Sequence, residues 1–213
     1  MTIRTSLRGS LDESRRTLDA FLADARALEA VEAFAGRVLA TVRGGGRLLV
    51  CGNGGSMSDA IHFASEWSGR FRGDRAPVSA IALSDPATLT CIANDYGFDQ
   101  VFARQVEAHG RKGDLVVALS TSGDSPNVVA AAQTARRLGL GIVGLLGRGG
   151  GKLAAEVDVA IVVPSARTAD RIQEVHIQIL HAVTEAVERE LFPENYTSRP
   201  AGAADSIPWS EDD

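Results

Sequence analysis

Arg47-Leu-Leu-Val-Cys-Gly-Asn-Gly-Gly-Ser-Met-Ser-Asp-Ala-Ile-His-Phe-Ala-Ser-Glu66 makes three structural statements in one stretch. An apolar strand ends in a glycine-rich turn, Gly52–Gly55, and the turn opens a helix. Glycines lack a Cβ, so backbone N–H groups can close around an anion at a helix N-terminus. Farther along that helix His62 and Glu66 stand four residues apart, hence on one face, where they can share a metal or a proton. The turn differs from GxGxxG and lacks the lysine of a P-loop, so neither a dinucleotide nor a nucleoside triphosphate is indicated. A purely structural turn remains the alternative for the glycines taken alone.

The same strand-then-helix rhythm runs outward from this stretch. Short Val/Ile/Leu-rich runs predict strands at 46–51, 78–83, 114–119, 141–146 and 158–163. They lack polar alternation, as suits strands covered on both faces in a parallel sheet. Helical segments are predicted at 56–70, 85–94, 99–108, 125–138 and 168–191. Alternation with short connections predicts an α/β doubly wound sandwich around a mostly parallel five-stranded sheet. Upstream, apolar residues at helical spacing (Leu18, Phe21, Leu22, then Leu28, Val31, Phe34, Val38) predict two helices, or one broken near Arg26–Glu29. We therefore expect an N-terminal helical segment at 1–43, one domain at 44–192 and a tail at 193–213.

Composition excludes several classes. The chain has 213 residues, 45% of them hydrophobic, which suits one well-cored soluble domain. No apolar run approaches the roughly 20 residues that span a bilayer, and Met1–Arg8 lacks the apolar core of a secretory signal. Two cysteines, Cys51 and Cys91, are too few for a disulfide framework, so reduced thiols and a cytoplasmic protein are expected. The net charge is −5, and Glu194, Asp205, Glu211, Asp212 and Asp213 put most of it in the tail. Nothing favours nucleic acid or an anionic membrane.

Three further constellations carry chemistry. Ser120-Thr-Ser-Gly-Asp-Ser125 follows the strand Asp114–Leu119. One helix cap needs one hydroxyl; four within six residues favour an anion site assisted by backbone amides. Ligands in open α/β sheets sit beyond the C-terminal strand ends, where both loops fall. On the last helix Gln173, Glu174, His176 and His181 interrupt the stripe Ile172, Val175, Ile179, Val183, Val187. Gln173 and His181 are eight residues apart, about 12 Å along a helix axis; meeting at one metal requires the two to lean together or two subunits to contribute. Asn94-Asp95 before Gly97 reads on its own as a turn, and His109 beside Gly110 as solvated surface.

Together these residues resemble the sugar isomerase (SIS) fold and, within it, the bacterial phosphoheptose isomerases, over about residues 1–192. The resemblance rests on Cys51-Gly-Asn-Gly-Gly-Ser56, His62-Phe-Ala-Ser-Glu66, Asn94-Asp95, Ser120–Gly123 with Ser125, and Ala169–His176 through His181. It implies isomerisation of sedoheptulose 7-phosphate to D-glycero-D-manno-heptose 7-phosphate, by proton transfer through an ene-diolate. It also implies a homotetramer with active sites at subunit interfaces, and one zinc per subunit on His62, Glu66, Gln173 and His181. Asn53, Gly54, Gly55, Glu66, Asn94, Asp95, Ser120, Thr121, Ser122, Ser125 and Gln173 match substrate-contacting positions, and Glu66 and His181 match the base and the acid. Met57, where the family often carries histidine, and the acidic tail are departures. The alternatives are a SIS protein that binds the replication initiator, or an isomerase of another sugar phosphate; the first kind generally lacks the metal and acid–base set present here.

Overall fold

The computed structural model describes residues 2–164 and 168–196. Five strands form one parallel sheet: β1 (Leu48–Gly52), β2 (Ala80–Ala82), β3 (Leu115–Ser120), β4 (Gly141–Gly147) and β5 (Val159–Val163), in the order β2-β1-β3-β4-β5. Among the described residues seven α-helices surround it: α1 (Ile3–Leu22), α2 (Ala25–Arg43), α3 (Gly55–Ser68), α4 (Pro86–Tyr96), α5 (Ala103–His109), α6 (Pro126–Arg137) and α7 (Ala169–Leu191).

Strand side chains alternate between two cores, as the pleat requires. Leu48, Val50, Leu115, Val117, Leu119, Val143, Leu145, Ile161 and Val163 pack with Phe34 and Val38 of α2, Phe63 and Trp67 of α3, and the apolar stripe of α7. Leu49, Cys51, Val116, Ala118, Ile142 and Leu146 face α4, α5 and α6 through Ile92, Val106, Val128 and Ala131. Both faces are therefore dry, which explains the unbroken aliphatic runs of the strands. The N-terminal helices share the first core rather than standing apart, because Phe21, Ala27, Phe34 and Val38 are buried in it.

Helix boundaries differ from expectation in three places. The break between α1 and α2 falls at Ala23–Asp24, ahead of Arg26–Glu29, because the Asp24 carboxylate accepts from the Arg26 and Ala27 N–H groups and starts a new helix. Asn94 and Asp95 are not a turn but the end of α4, which runs to Tyr96 and stops at Gly97 (φ 86°). The helix expected at 99–108 is a 3-10 turn, Phe98–Gln100, followed by α5, whose last residue His109 is exposed. Of the expected tail, Pro193–Asn195 form a 3-10 turn, and residues 197–213 lie outside those described.

A buried ion pair locks α3 to α7. The Arg75 and Glu188 side chains are both 0% exposed and meet at 2.6 Å. Arg75 also donates to the carbonyls of Glu66, Trp67, Gly69 and Ala76, and lies 5.6 Å from the ring centroids of Trp67 and Phe192. A cation there satisfies carbonyls at the C-terminus of α3 and faces the negative end of its dipole.

His176 on α7 is fully buried, and its Nε2–H donates to the Leu146 carbonyl at 3.1 Å while Nδ1 has no partner. Burial pushes this histidine down to about 4, against a smaller upward pull from the Leu146 bond. Below pH 6.5 the unfolded chain takes up a proton that the folded chain refuses until about pH 4. Stability is thus full above pH 6.5 and declines as pH falls through that window, by about 3 kcal/mol. Thermal unfolding across pH 4–7 should show this slope in the wild type. In His176→Gln, which keeps a donor for Leu146 and cannot titrate, the slope should shrink; parallel curves would refute the assignment.

Candidate active site

The sheet reverses its winding between β1 and β3. From β1 the chain crosses to β2 on one side, and from β3 to β4 on the other. A crevice opens above the C-terminal ends of these two neighbours, paired as Gly52 with Leu119. The glycine turn leaves one strand and the hydroxyl loop the other. Gly54 (φ 55°) carries the turn into α3, which has no side-chain cap.

In the hydroxyl loop, Ser120 Oγ lies 3.1 Å from Ser125 Oγ and 3.5 Å from Ser122 Oγ, and accepts from the Gly123 N–H. Ser122 Oγ accepts from the Asp124 N–H, and Asp124 accepts from the Lys152 N–H. Ser125 stands at the N-cap of α6 but makes no capping bond. Its hydroxyl converges with the others instead, as an anion cradle requires and a plain cap does not. Thr121 is half-buried in the same loop. Gly123 (φ 69°) lies so close to the Gly150 carbonyl that any Cβ would collide with it.

The titratable half of the site comes from α3 and α7. Gln173 Nε2 donates to Ser56 Oγ (3.3 Å), and two turns farther on His181 meets His62, so the two helices run parallel. His62 Nε2 and His181 Nε2 lie 3.0 and 3.2 Å from Glu66 Oε1 and 3.1 Å from each other. Both imidazoles are part-exposed, whereas Glu66 is buried and its Oε2 has no partner. Three donors at such spacing need a proton or a cation among them. Ligands of a tetrahedral ion at 2.0–2.1 Å would be about 3.3 Å apart, so this nitrogen–nitrogen–oxygen triangle fits a divalent metal such as zinc.

Among the described contacts, Gln173 does not join the triangle; it fills the space over Gly55 and bonds Ser56. Asn94 and Asp95 are exposed at the end of α4, with the Asn94 amide donating to Asp95. Sequence reasoning missed Asn127, two residues past Ser125, whose carboxamide pairs with Asn53. It also missed Phe71, 6.0 Å from the His181 ring, for which no local signal exists. Asp59, three residues before His62 and so on its face, has a buried unpaired oxygen; burial pushes its carboxyl up to about 6, with the field of His62 opposing.

A doubly wound sheet, a hydroxyl loop at its switch point and a His–Glu–His triangle beside it define a sugar isomerase (SIS) type of domain. The SIS domain family profile matches residues 11–147. The phosphoheptose isomerase of Fusobacterium nucleatum is 52% identical over 152 residues, covering 71% of this chain and 78% of the relative. That of Sodalis glossinidius is 46% identical over 185 residues, 87% of this chain and 95% of the relative. The phosphoheptose isomerase structure from Neisseria gonorrhoeae superposes with a TM-score of 0.80 at 41% identity, covering 88% of this chain and 99% of that one. The chain belongs to the SIS domain family and, within it, to the phosphoheptose isomerases, a family of enzymes.

Gly123→Ala should displace the loop, cost about 1–3 kcal/mol in a urea titration and abolish protection by inorganic phosphate. Gly54→Ala, where nothing lies within 4 Å of an added Cβ, should cost only the strain of a positive φ. Equal losses for the two would mean that the Gly123–Gly150 approach is not limiting.

Proposed function

We propose that this enzyme converts sedoheptulose 7-phosphate to D-glycero-D-manno-heptose 7-phosphate, the first step toward ADP- or GDP-heptose precursors. The convergence of His62, Glu66 and His181 within 3.0–3.2 Å carries the reading, because aldose–ketose exchange needs a carboxylate base beside an acid. Ser120, Thr121, Ser122 and Ser125 hold the phosphate. Asn53, Gly54 and Gly55 line the sugar.

Glu66 removes the proton from C1 of the ketose and returns it to C2. His181 carries the hydroxyl proton between the two oxygens, so the ene-diolate collapses to the aldose. The two oxygens of Glu66 are not equivalent. Oε1 is committed to the histidines, whereas Oε2 is buried without a partner, an expensive arrangement that marks an uncommitted lone pair. Zinc, one per subunit on His62, Glu66 and His181, would polarise the carbonyl and stabilise charge on its oxygen. Gln173, a fourth ligand by family resemblance, would have to exchange its bond to Ser56 for that role.

A homotetramer with sites at its interfaces agrees with the exposure of Ile3, Leu7 and Leu11, an apolar stripe on α1 that stays exposed among the described residues. Asn94 and Asp95, exposed at the end of α4, are substrate contacts by family resemblance. The boundaries 1–43, 44–192 and 193–213 serve as the working division of the chain. A cytoplasmic location agrees with two free thiols, Cys51 and Cys91.

Purified protein should convert sedoheptulose 7-phosphate at least tenfold faster than fructose 6-phosphate or a pentulose phosphate, and a chelator should reduce the rate. Glu66→Gln should lower turnover by about 10²–10⁴ while leaving the unfolding midpoint near that of the wild type. Near-normal turnover in Glu66→Gln would sink the assignment of the base. Conversion of no sugar, with retention of the replication initiator, would favour a binding protein.

A further inference from the structure

Asn53 and Asn127 exchange two hydrogen bonds. Each Nδ2 donates to the other's Oδ1, both at 2.8 Å. Asn53 is the first residue beyond β1, and Asn127 is the second residue of α6, the helix that follows the hydroxyl loop. The pair therefore bridges the crevice at the winding reversal, tying one loop to the other across 74 residues of chain. Asn127 is 1% exposed and Asn53 half-buried, so only Asn53 faces the site.

The geometry points to Asn127 as a positioning residue for sugar recognition by Asn53. This rests on the proposed sugar phosphate reaction and names a residue that makes its specificity possible. A carboxamide has two donors and two lone pairs. The reciprocal pair uses one N–H and one lone pair of Asn53 and leaves one of each for a ligand. An unpaired amide on a turn of glycines would rotate, exchanging its donor and acceptor faces. Paired to a buried, fixed partner, it presents one donor and one acceptor in set directions, which is what vicinal sugar hydroxyls require. Asn127 itself touches no substrate. Its backbone also sits in the first turn of α6, so the amide pair holds the glycine turn in register with the phosphate cradle.

The role predicts binding loss through Asn53 and through nothing else. Asn127→Ala, and Asn127→Leu as a variant of similar volume, should raise KM for sedoheptulose 7-phosphate about tenfold with kcat changed less than threefold. A folding defect would instead lower the active fraction and hence kcat. Binding of inorganic phosphate by calorimetry should stay within twofold, because the hydroxyls of the loop are intact. In an Asn53→Ala background, Asn127→Ala should add less than twofold to the loss in kcat/KM. Additive losses in an active enzyme would overturn this inference and leave the proposed reaction standing. Failure of the wild type to bind or convert the sugar phosphate, with inorganic phosphate still bound, would overturn both.

Discussion

The opposite directions in which the chain leaves β1 and β3 govern everything above the sheet. Parallel neighbours must be joined by crossovers, and right-handed crossovers to opposite sides place α3 and α6 on opposite faces. The strand ends between them cannot be covered by either helix. Two loops are left facing one crevice, with glycine backbone from one strand and hydroxyls from the other. Because Gly52 and Leu119 are direct neighbours, the loops are also close enough for the Asn53 and Asn127 amides to meet.

The His62–Glu66–His181 triangle needs a second constraint, a fixed spacing between α3 and α7. Glu188 lies seven residues after His181, two turns along the same face, and Arg75 is held to it with no solvent between. Desolvating such a pair is costly unless its remaining hydrogen bonds are made. Here carbonyls at the end of α3 and the Tyr196 hydroxyl, which donates to Glu188, complete them. The hydrogen bond to the Glu66 carbonyl connects this anchor directly to the residue at the centre of the triangle. A buried charge network thus sits behind the His62–Glu66–His181 triangle and fixes the approach of the two helices that carry it.

Local patterns were legible where one physical cause dominates. Aliphatic runs such as Leu115–Leu119 suited strands buried on both sides, and the i,i+4 spacing of His62 and Glu66 fixed their common face. The hydroxyl loop was expected to be an anion site, and whether Ser125 capped α6 or turned toward Ser120 depended on a rotamer that no sequence rule sets. The α1–α2 break was misplaced because helical periodicity continues through Asp24, and only its capping bonds show the stop. Asn94-Asp95 looked like a turn from residue type, yet α4 packing through Ile92 carried the helix past them.

Sequence alone determined the strand–helix alternation, the glycine-rich and hydroxyl-rich loops at the strand ends and the common face of His62 and Glu66, because these follow from periodicity, glycine freedom and spacing within single elements. Tertiary structure decided which distant residues meet. It closed His181 onto His62 and Glu66, sent Gln173 to Ser56, paired Asn127 with Asn53 and buried Arg75 against Glu188. Each of those contacts joins residues well apart along the chain, and their distances are set by how two helices and a twisted sheet pack, a quantity that no local window of sequence contains.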